Sequence, residues 1–286
     1  MGRMISSEEE EYILRQAYVP EHIVSVMALL SKGEPFLVED HLILAKDNWL
    51  IFVGYPFDGM FSQERCEGVI RQVLKRFRPE FLRFIGPEIP FFLKDSCSER
   101  QTDSYYRFDI EQSKVKNSLR RVAEKASREL DMERANVFSK EHESLVSELL
   151  EREKLRPRVK ELYHLMPDYV SRSSSACILN AWNKKGRLSA FTILELGARH
   201  FTTYLIGTHS KKNYVPHASD LLFLKMIELT REQGKKEINL GLGVNEGIRR
   251  FKEKWGGVPF LNYEECEYCP EGKRIMSMVR ILEGKL

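Results

Sequence analysis

Hydrophobic spacing along the chain alternates between the helical and the extended period. Ile13, Leu14 and Ala17, then Ile23, Val26, Met27 and Leu30, recur at helical spacing. Residues 36–38, 41–45 and 49–54 read as strands, with Lys46-Asp47-Asn48 as the turn between the last two. Val69, Ile70, Val73, Leu74 and Phe77 form one stripe of a helix over 61–78, and a strand over 81–85 follows. Residues 93–100 read as loop and 105–110 as a further strand. A basic helix is expected from 112 to 130, on the stripe Leu119, Val122, Ala123, Ala126 and Leu130. Helices at 141–155 and 158–165 precede strands at 177–182 and 188–196, joined by the turn Asn183-Lys184-Lys185-Gly186.

The pattern is sharpest near the end. After a strand over 201–207 and a polar loop over 208–216, Ala218, Leu221, Leu222, Phe223, Leu224, Met226, Ile227 and Leu229 are apolar nearly all round, which predicts a buried helix. Gly234 stops it, since glycine enters the left-handed region without a Cβ clash. Ile238, Leu240 and Leu242 then alternate with Glu237, Asn239 and Gly241. A last helix places Ile248, Phe251 and Trp255 on one stripe, with Arg249, Arg250, Lys252, Glu253 and Lys254 outside. Gly256-Gly257 closes it. Both halves of the chain thus run helix, paired strands, helix, strand, although no repeat is visible residue by residue. Mixed strands alternating with helices place the chain in the α/β (α+β) group. The division expected is 1–111 and 112–286.

With 286 residues there is enough chain for a substantial core. A net charge of +3 is too balanced to demand a polyanionic partner, so local charge carries more information. No apolar run follows the first residues and none approaches bilayer-spanning length, so no membrane insertion and a cytoplasmic location are expected. The cysteines are Cys66, Cys97, Cys177, Cys266 and Cys269, and their odd number and scatter favour reduced thiols. Cys266 and Cys269 form a CxxC, but no second pair of donors accompanies it. The reading favours a structural pair at a strand end, before a hairpin turn at Pro270-Glu271-Gly272-Lys273, over metal or redox chemistry.

The closing block resembles the end of a GNAT-fold acyltransferase domain of the Fem-like (FemAB-type) aminoacyltransferases. The residues that carry the likeness are Ala218-Ser219-Asp220 after a polar loop, a strand with glycine near its end, and Gly247, Phe251, Lys252, Gly256 and Gly257 at Gly-x-x-x-Phe-Lys-x-x-x-Gly-Gly spacing. The basic segment 114–134 is similar to the linking helix of the same proteins. The resemblance implies tandem GNAT-like folds, each a mixed central sheet flanked by helices. It also implies transfer of an acyl or aminoacyl group to an amine acceptor. No cofactor would be bound permanently, because the acyl donor, a CoA thioester or an aminoacyl-tRNA, arrives as co-substrate.

The donor site implied is the loop and helix start formed by Lys211, Lys212, Val215, His217, Ala218 and Ser219, with Ser219 as cap. First-turn N–H groups and the positive helix end attract phosphate without a dedicated side chain. One departure stands out: the glycine-rich loop of CoA-dependent GNAT enzymes is missing, and Pro216 removes a donor. That favours a tRNA-linked donor, with the helix 114–134 available to phosphates through Lys114, Lys116, Arg120, Arg121, Lys125, Arg128 and Arg134. The bland alternative is a solvated helix face with internal ion pairs, such as Glu124 with Arg128.

Amine attack needs a proton acceptor. His217 leads because it titrates near neutrality; Asp220, Glu195 and His209 are the other candidates. Tyr263 and Tyr214 are candidates to return a proton to the leaving group. Asn239 and Glu195 are candidates to hold substrate, although Fem-like proteins often carry Asp where Asn239 stands. The competing reading, from another class, is a non-catalytic RNA- or partner-binding protein on a degenerate GNAT fold. Composition leaves the oligomeric state open.

Overall fold

Local capping sets the first elements. Ser6 accepts from the Glu9 N–H at 3.2 Å while the Glu9 carboxylate accepts from the Ser6 N–H at 2.7 Å, starting α1 (Ser7–Gln16). The computed structural model describes residues 5–270 except residue 156 and the side chain of residue 158, and it divides into two units. The first comprises residues 5–105 and 260–270, the second 106–259.

In the first unit a 3-10 turn at Pro20–His22 leads to α2 (Val24–Ser31), then β1 (Glu34–Val38), β2 (His41–Lys46) and β3 (Trp49–Val53). Ser62 caps α3 (Gln63–Phe77), which crosses over to β4 (Phe81–Gly86), parallel to β3. After the short α4 (Phe91–Lys94) comes β5 (Cys97–Asp109), whose end enters the second unit. The core of the first unit is Phe36, Ile43, Phe52, Val69, Ile70, Val73, Leu82 and Phe84, as the apolar stripe of α3 requires.

The second unit holds α5 (Asn117–Ala126), β6 (Leu130–Ala135), α6 (Lys140–Arg152), α7 (Pro157–Arg172), β7 (Ala176–Asn183), β8 (Leu188–Glu195), β9 (Phe201–His209), α8 (Ala218–Glu232), β10 (Glu237–Leu242) and α9 (Glu246–Lys254). Its strand order is β5-β10-β9-β8-β7-β6. The apolar helix α8 lies in the middle of this core, against Leu119, Ala123 and Ala126 of α5 and Leu179, Leu194, Ile238 and Leu240 of the sheet. The chain then returns as β11 (Val258–Tyr268), antiparallel to β4, so the first unit reads β1-β2-β3-β4-β11-β5. Each unit is a mixed sheet flanked by helices, the tandem GNAT-like class expected from sequence.

Four expectations change. Residues 260–270 belong with the first unit, not with 112–286, because β11 pairs with β4. β5 begins at Cys97, where polar residues read as loop. Its partner supplies what the pattern lacks: Arg100 pairs with Glu264 at 3.0 Å, and the Ser98 hydroxyl donates to the Glu267 carbonyl at 3.1 Å. The basic helix ends at Ala126 and β6 takes residues 130–135, so the helix over 114–134 is shorter than expected. This strand buries only Leu130 and is held by polar contacts, Asp131 to Lys184 at 2.5 Å and Glu133 to Trp182 Nε1 at 2.7 Å, which hide its period. Finally, Cys97 and Cys266 are disulfide-bonded rather than reduced. Strand pairing brings residues 169 apart in sequence to a Cα separation of 5.5 Å. The CxxC therefore contributes one cysteine, Cys266, to a strand–strand link, and Cys269 is not part of it. The turn expected at 270–273 lies outside the described residues beyond Pro270.

The disulfide gives the first testable outcome. Non-reducing peptide mapping should recover a Cys97–Cys266 crosslink. Reduction should cost about 2–4 kcal/mol of unfolding free energy, because the bond closes a long loop in the unfolded chain. Titration of five free thiols in the native protein purified without reductant would refute the pairing.

Candidate active site

The neighbouring strands β9 and β10 pair in parallel at Phe201–Glu237, Thr202–Ile238 and Thr203–Asn239, and beyond these residues the pairing stops although both strands continue. The chain leaves β9 at His209, and α8 begins at Ala218. A pocket of about 210 Å³ at this helix start is lined by His209, Tyr214, Val215, His217, Ala218, Ser219, Asp220, Phe251 and Lys254.

Asp220 organises this pocket. Its side chain is 8% exposed and accepts three hydrogen bonds: from Lys254 Nζ at 2.6 Å, Trp255 Nε1 at 3.0 Å and His217 Nδ1 at 2.9 Å. Burial pushes its carboxyl up, but the bonds from Lys254, His217 and Trp255 outweigh burial and hold it below its ordinary value of 3.8. An ionised carboxylate can only accept, so Nδ1 of His217 carries the proton of this bond, and Nε2 is the ring nitrogen left to act as an acceptor in the neutral form. His217 is 43% exposed and sits in the left-handed region at φ 66°, an uncommon conformation for a residue with a Cβ. It is also the residue that precedes α8 as its cap, without a side-chain capping bond; Ser219 is not the cap.

The end motif now has physical content. Trp255 stacks on Phe223 at 4.8 Å, and Phe251 packs edge-on to the same ring at 5.7 Å. Lys252 is buried and donates to the Leu242 carbonyl at 2.6 Å, tying α9 to the end of β10. Gly256 has φ 95°, and a Cβ on Gly257 would lie 2.9 Å from the Lys252 carbonyl oxygen, so both positions require glycine. Ile248, expected on the buried stripe, is 38% exposed, and Lys252, expected outside, replaces it.

The remaining sequence candidates separate into three places. Val215, Ala218 and Ser219 join His217 and Asp220 in the pocket, but the Ala218 N–H already reaches the Val215 carbonyl at 3.3 Å. Lys211 and Lys212 do not line it. Their N–H groups face the Glu148 carboxylate, which also accepts from the Ser210 hydroxyl at 2.8 Å. Burial pushes the Glu148 carboxyl up; the bonds from Lys211, Ser210 and Lys212 and the charge of Arg152 outweigh it, and the group stays ionised. Glu195, Thr203 and Asn239 are paired residues on adjacent strands and so share one face of the sheet, and all three are buried. Glu195 accepts from the Tyr169 hydroxyl and from the Gly197 N–H at 2.6 Å. Asn239 Oδ1 accepts from the Gly241 N–H at 2.9 Å, whereas Asn239 Nδ2 and Thr203 Oγ1 have no hydrogen-bond partner among the described residues. Tyr263 belongs to the first unit, where its hydroxyl donates to Glu265 at 2.7 Å. Tyr214 and His209 sit at the rim as an aromatic pair at 6.1 Å.

Sequence reasoning missed Lys254, Trp255 and Glu148. The Trp255 indole was read as core only, although a buried indole N–H needs an acceptor. Glu148 gave no local signal.

Arg120, Arg121 and Lys125 on α5, Lys114 and Lys116 before it and Arg128 after it are exposed and form no ion pair among the described residues, including the Glu124–Arg128 pair of the bland reading. Arg134 is different: it lies on β6 and pairs with Glu232 at 2.5 Å. No group of three or more potential metal-ligating side chains occurs among the described residues, and no helix there is long and apolar enough to cross a membrane.

No family model and no curated protein matches the sequence. Solved structures do match. The chain is similar to the C-terminal domain of a putative lysylphosphatidylglycerol synthetase from Agrobacterium fabrum, with a TM-score of 0.59 at 14% identity over 97% of this chain and 98% of that one. It is also similar to FemX, with a TM-score of 0.61 at 11% identity over 92% and 96%. A tandem GNAT protein from the clavulanic acid biosynthesis pathway aligns with a TM-score of 0.53 at 13% identity over 92% and 96%. At these identities the likeness is one of fold, and the fold is tandem GNAT-like.

Proposed function

We propose that the protein is an aminoacyltransferase that takes an aminoacyl group from tRNA and passes it to an amine, with His217 as the base. The observation that carries the reading is the His217–Asp220 pair in the pocket at the start of α8. Asp220 is itself fixed by Lys254 and Trp255, so it holds the imidazole in one tautomer and orientation. Nε2 would accept the proton lost by the attacking amine, and Asp220 would stabilise the imidazolium that results. FemX and the synthetase domain supply the analogy for an aminoacyl donor.

Two features favour tRNA over coenzyme A. The N–H groups of Lys211 and Lys212, which a pyrophosphate would need, already face the carboxylate of Glu148. A negative charge in that position repels phosphate as well as occupying its donors. The cations on and beside α5, which form no ion pair among the described residues, by contrast suit the regularly spaced phosphates of a nucleic acid. Asn239 Nδ2 and Thr203 Oγ1, buried without partners among the described residues near the end of strand pairing, are proposed to receive substrate.

Three outcomes test this reading. In single-turnover transfer from aminoacyl-tRNA, His217→Asn should lower the rate by roughly 10²–10⁴-fold while sparing tRNA affinity. Asparagine tolerates the left-handed backbone, so the fold should hold; wild-type turnover would remove His217 from the base role. Changing Arg120, Arg121 and Lys125 together to glutamate should weaken tRNA binding and flatten its salt dependence, by up to roughly 0.9 in slope for each phosphate no longer neutralised, at unchanged melting temperature. Acetyl-CoA binding tighter than that of charged tRNA would reverse the choice of donor. Asp220→Asn should destabilise by about 1–3 kcal/mol at pH 7. This is less than for a sealed pair, because Lys254 and His217 are 41% and 43% exposed. A carboxyl held low in the fold stabilises above its unfolded value and loses that contribution as pH falls through the folded one. The difference between wild type and variant should therefore shrink on acidification below about pH 4. A pH-independent difference would mean that the charge of Asp220 is not what the fold uses.

A further inference from the structure

We propose that the first unit carries a recognition site for a primary ammonium group, formed by the Glu21 carboxylate and the rings of Tyr55, Tyr105 and Tyr263. The inference does not rest on the transfer reading, since all its residues lie in the first unit and its test involves no donor.

Glu21 stands on the 3-10 turn Pro20–His22. The residue as a whole is half-buried, while its Oε2 is sealed off. The Tyr105 hydroxyl, on a residue 1% exposed, lies towards it, yet neither atom completes a hydrogen bond of ordinary geometry. Tyr105 is flanked edge-on by Tyr55 at 6.0 Å and Tyr263 at 5.6 Å, both buried. Their hydroxyls are turned to other acceptors, Tyr55 to the Asn262 carbonyl and Tyr263 to Glu265, each at 2.7 Å.

What the cluster lacks is a cation. A carboxylate enclosed by aromatic rings is costly unless a positive charge accompanies it. His22 cannot serve: it takes the Tyr18 N–H on Nδ1 and meets the Tyr55 carbonyl through Nε2 at 2.8 Å, and burial pushes it down to about 3, so it is neutral. Arg83 is shared between Glu265 at 3.3 Å and Glu267 at 3.2 Å. No lysine or arginine pairs with Glu21 among the described residues. Burial, with Glu265 nearby adding to it, pushes the Glu21 carboxyl up to about 7 despite the opposing contact with Tyr105. An incoming alkylammonium matches each part: its charge meets Oε2, one N–H meets the Tyr105 oxygen, and the aromatic rings stabilise a cation near their faces.

The experiment is calorimetric titration of the full chain with n-pentylammonium, and with 1-pentanol as the uncharged control. Wild type should bind n-pentylammonium with Kd near or below about 1 mM, and 1-pentanol at least about tenfold more weakly. Glu21→Gln should reduce ammonium affinity by about tenfold or more, as expected when a charge-assisted bond is removed, with melting temperature unchanged or raised. Tyr105→Phe should reduce it less and leave the fold intact. His217→Asn should leave it unchanged, which separates this site from the transfer site. Equal binding of the alcohol, retained affinity in Glu21→Gln, or no binding to wild type at roughly ten times that concentration would overturn the proposal. Glu21 would then be a protonated acid that only holds the turn against Tyr105.

Discussion

The second unit depends on one buried carboxylate. Asp220 lies in the first turn of α8, where a negative charge is favoured by the helix dipole. It points into the protein rather than at solvent, and its three donors come from the residue that caps α8 and from the end of α9. It therefore ties two helices and a loop to one point. Without it, Trp255 would keep its stacking on Phe223 but have no acceptor for its N–H, Lys254 would swing free, and nothing would select the tautomer of His217. The packing of the core and the orientation of the proposed base are consequences of the same charge.

That economy explains why so much of this region was legible in sequence. A helix apolar all round can only be buried, and the glycines that end α8 and α9 occupy positive-φ positions that suit glycine. Asp220 and His217 sit at i, i+3 on the helix start, so their contact is local. What could not be read was long-range. β6 and the beginning of β5 are polar strands whose regularity is imposed by a partner, and the Cys97–Cys266 link depends on β11 returning to the first unit. Lys252 looked like a solvent-facing cation because its acceptor, the Leu242 carbonyl, is free only where β10 has parted from its neighbour.

Glu148 shows how a protein can fill an anion site at a helix start with its own carboxylate. In a GNAT-like domain the N–H groups before the central helix are the natural place for a donor's phosphates. Here α6 brings a carboxylate to the N–H groups of Lys211 and Lys212 and to the Ser210 hydroxyl, while Arg152 from the same helix donates to the His209 carbonyl at 3.2 Å. The loop keeps its shape without an anion, because the protein supplies one. This is a second reason, besides Pro216 and the missing glycines, to look for phosphate contacts elsewhere.

Each unit has the same elements at its parallel crossover, yet they are finished differently, and this bears on where transfer chemistry is proposed. In the first unit β3 and β4 pair over the whole of Trp49–Val53, and the Gly54 N–H extends the ladder to the Ile85 carbonyl at 2.6 Å. The residues leading into α3 are occupied as well: Arg65 bridges Asp40 at 2.6 Å and Asp58 at 2.5 Å. Nothing there parts the strands, and the carboxylates would oppose phosphate. In the second unit the corresponding pair, β9 and β10, stops pairing at Thr203–Asn239, and the side-chain atoms Thr203 Oγ1 and Asn239 Nδ2 are buried there without a partner among the described residues. Buried polar groups left unpaired are costly, so the second crossover, unlike the first, leaves donors and acceptors unused. The closed crossover of the first unit suits recognition by side chains alone, which is how Glu21 and its tyrosines are arranged.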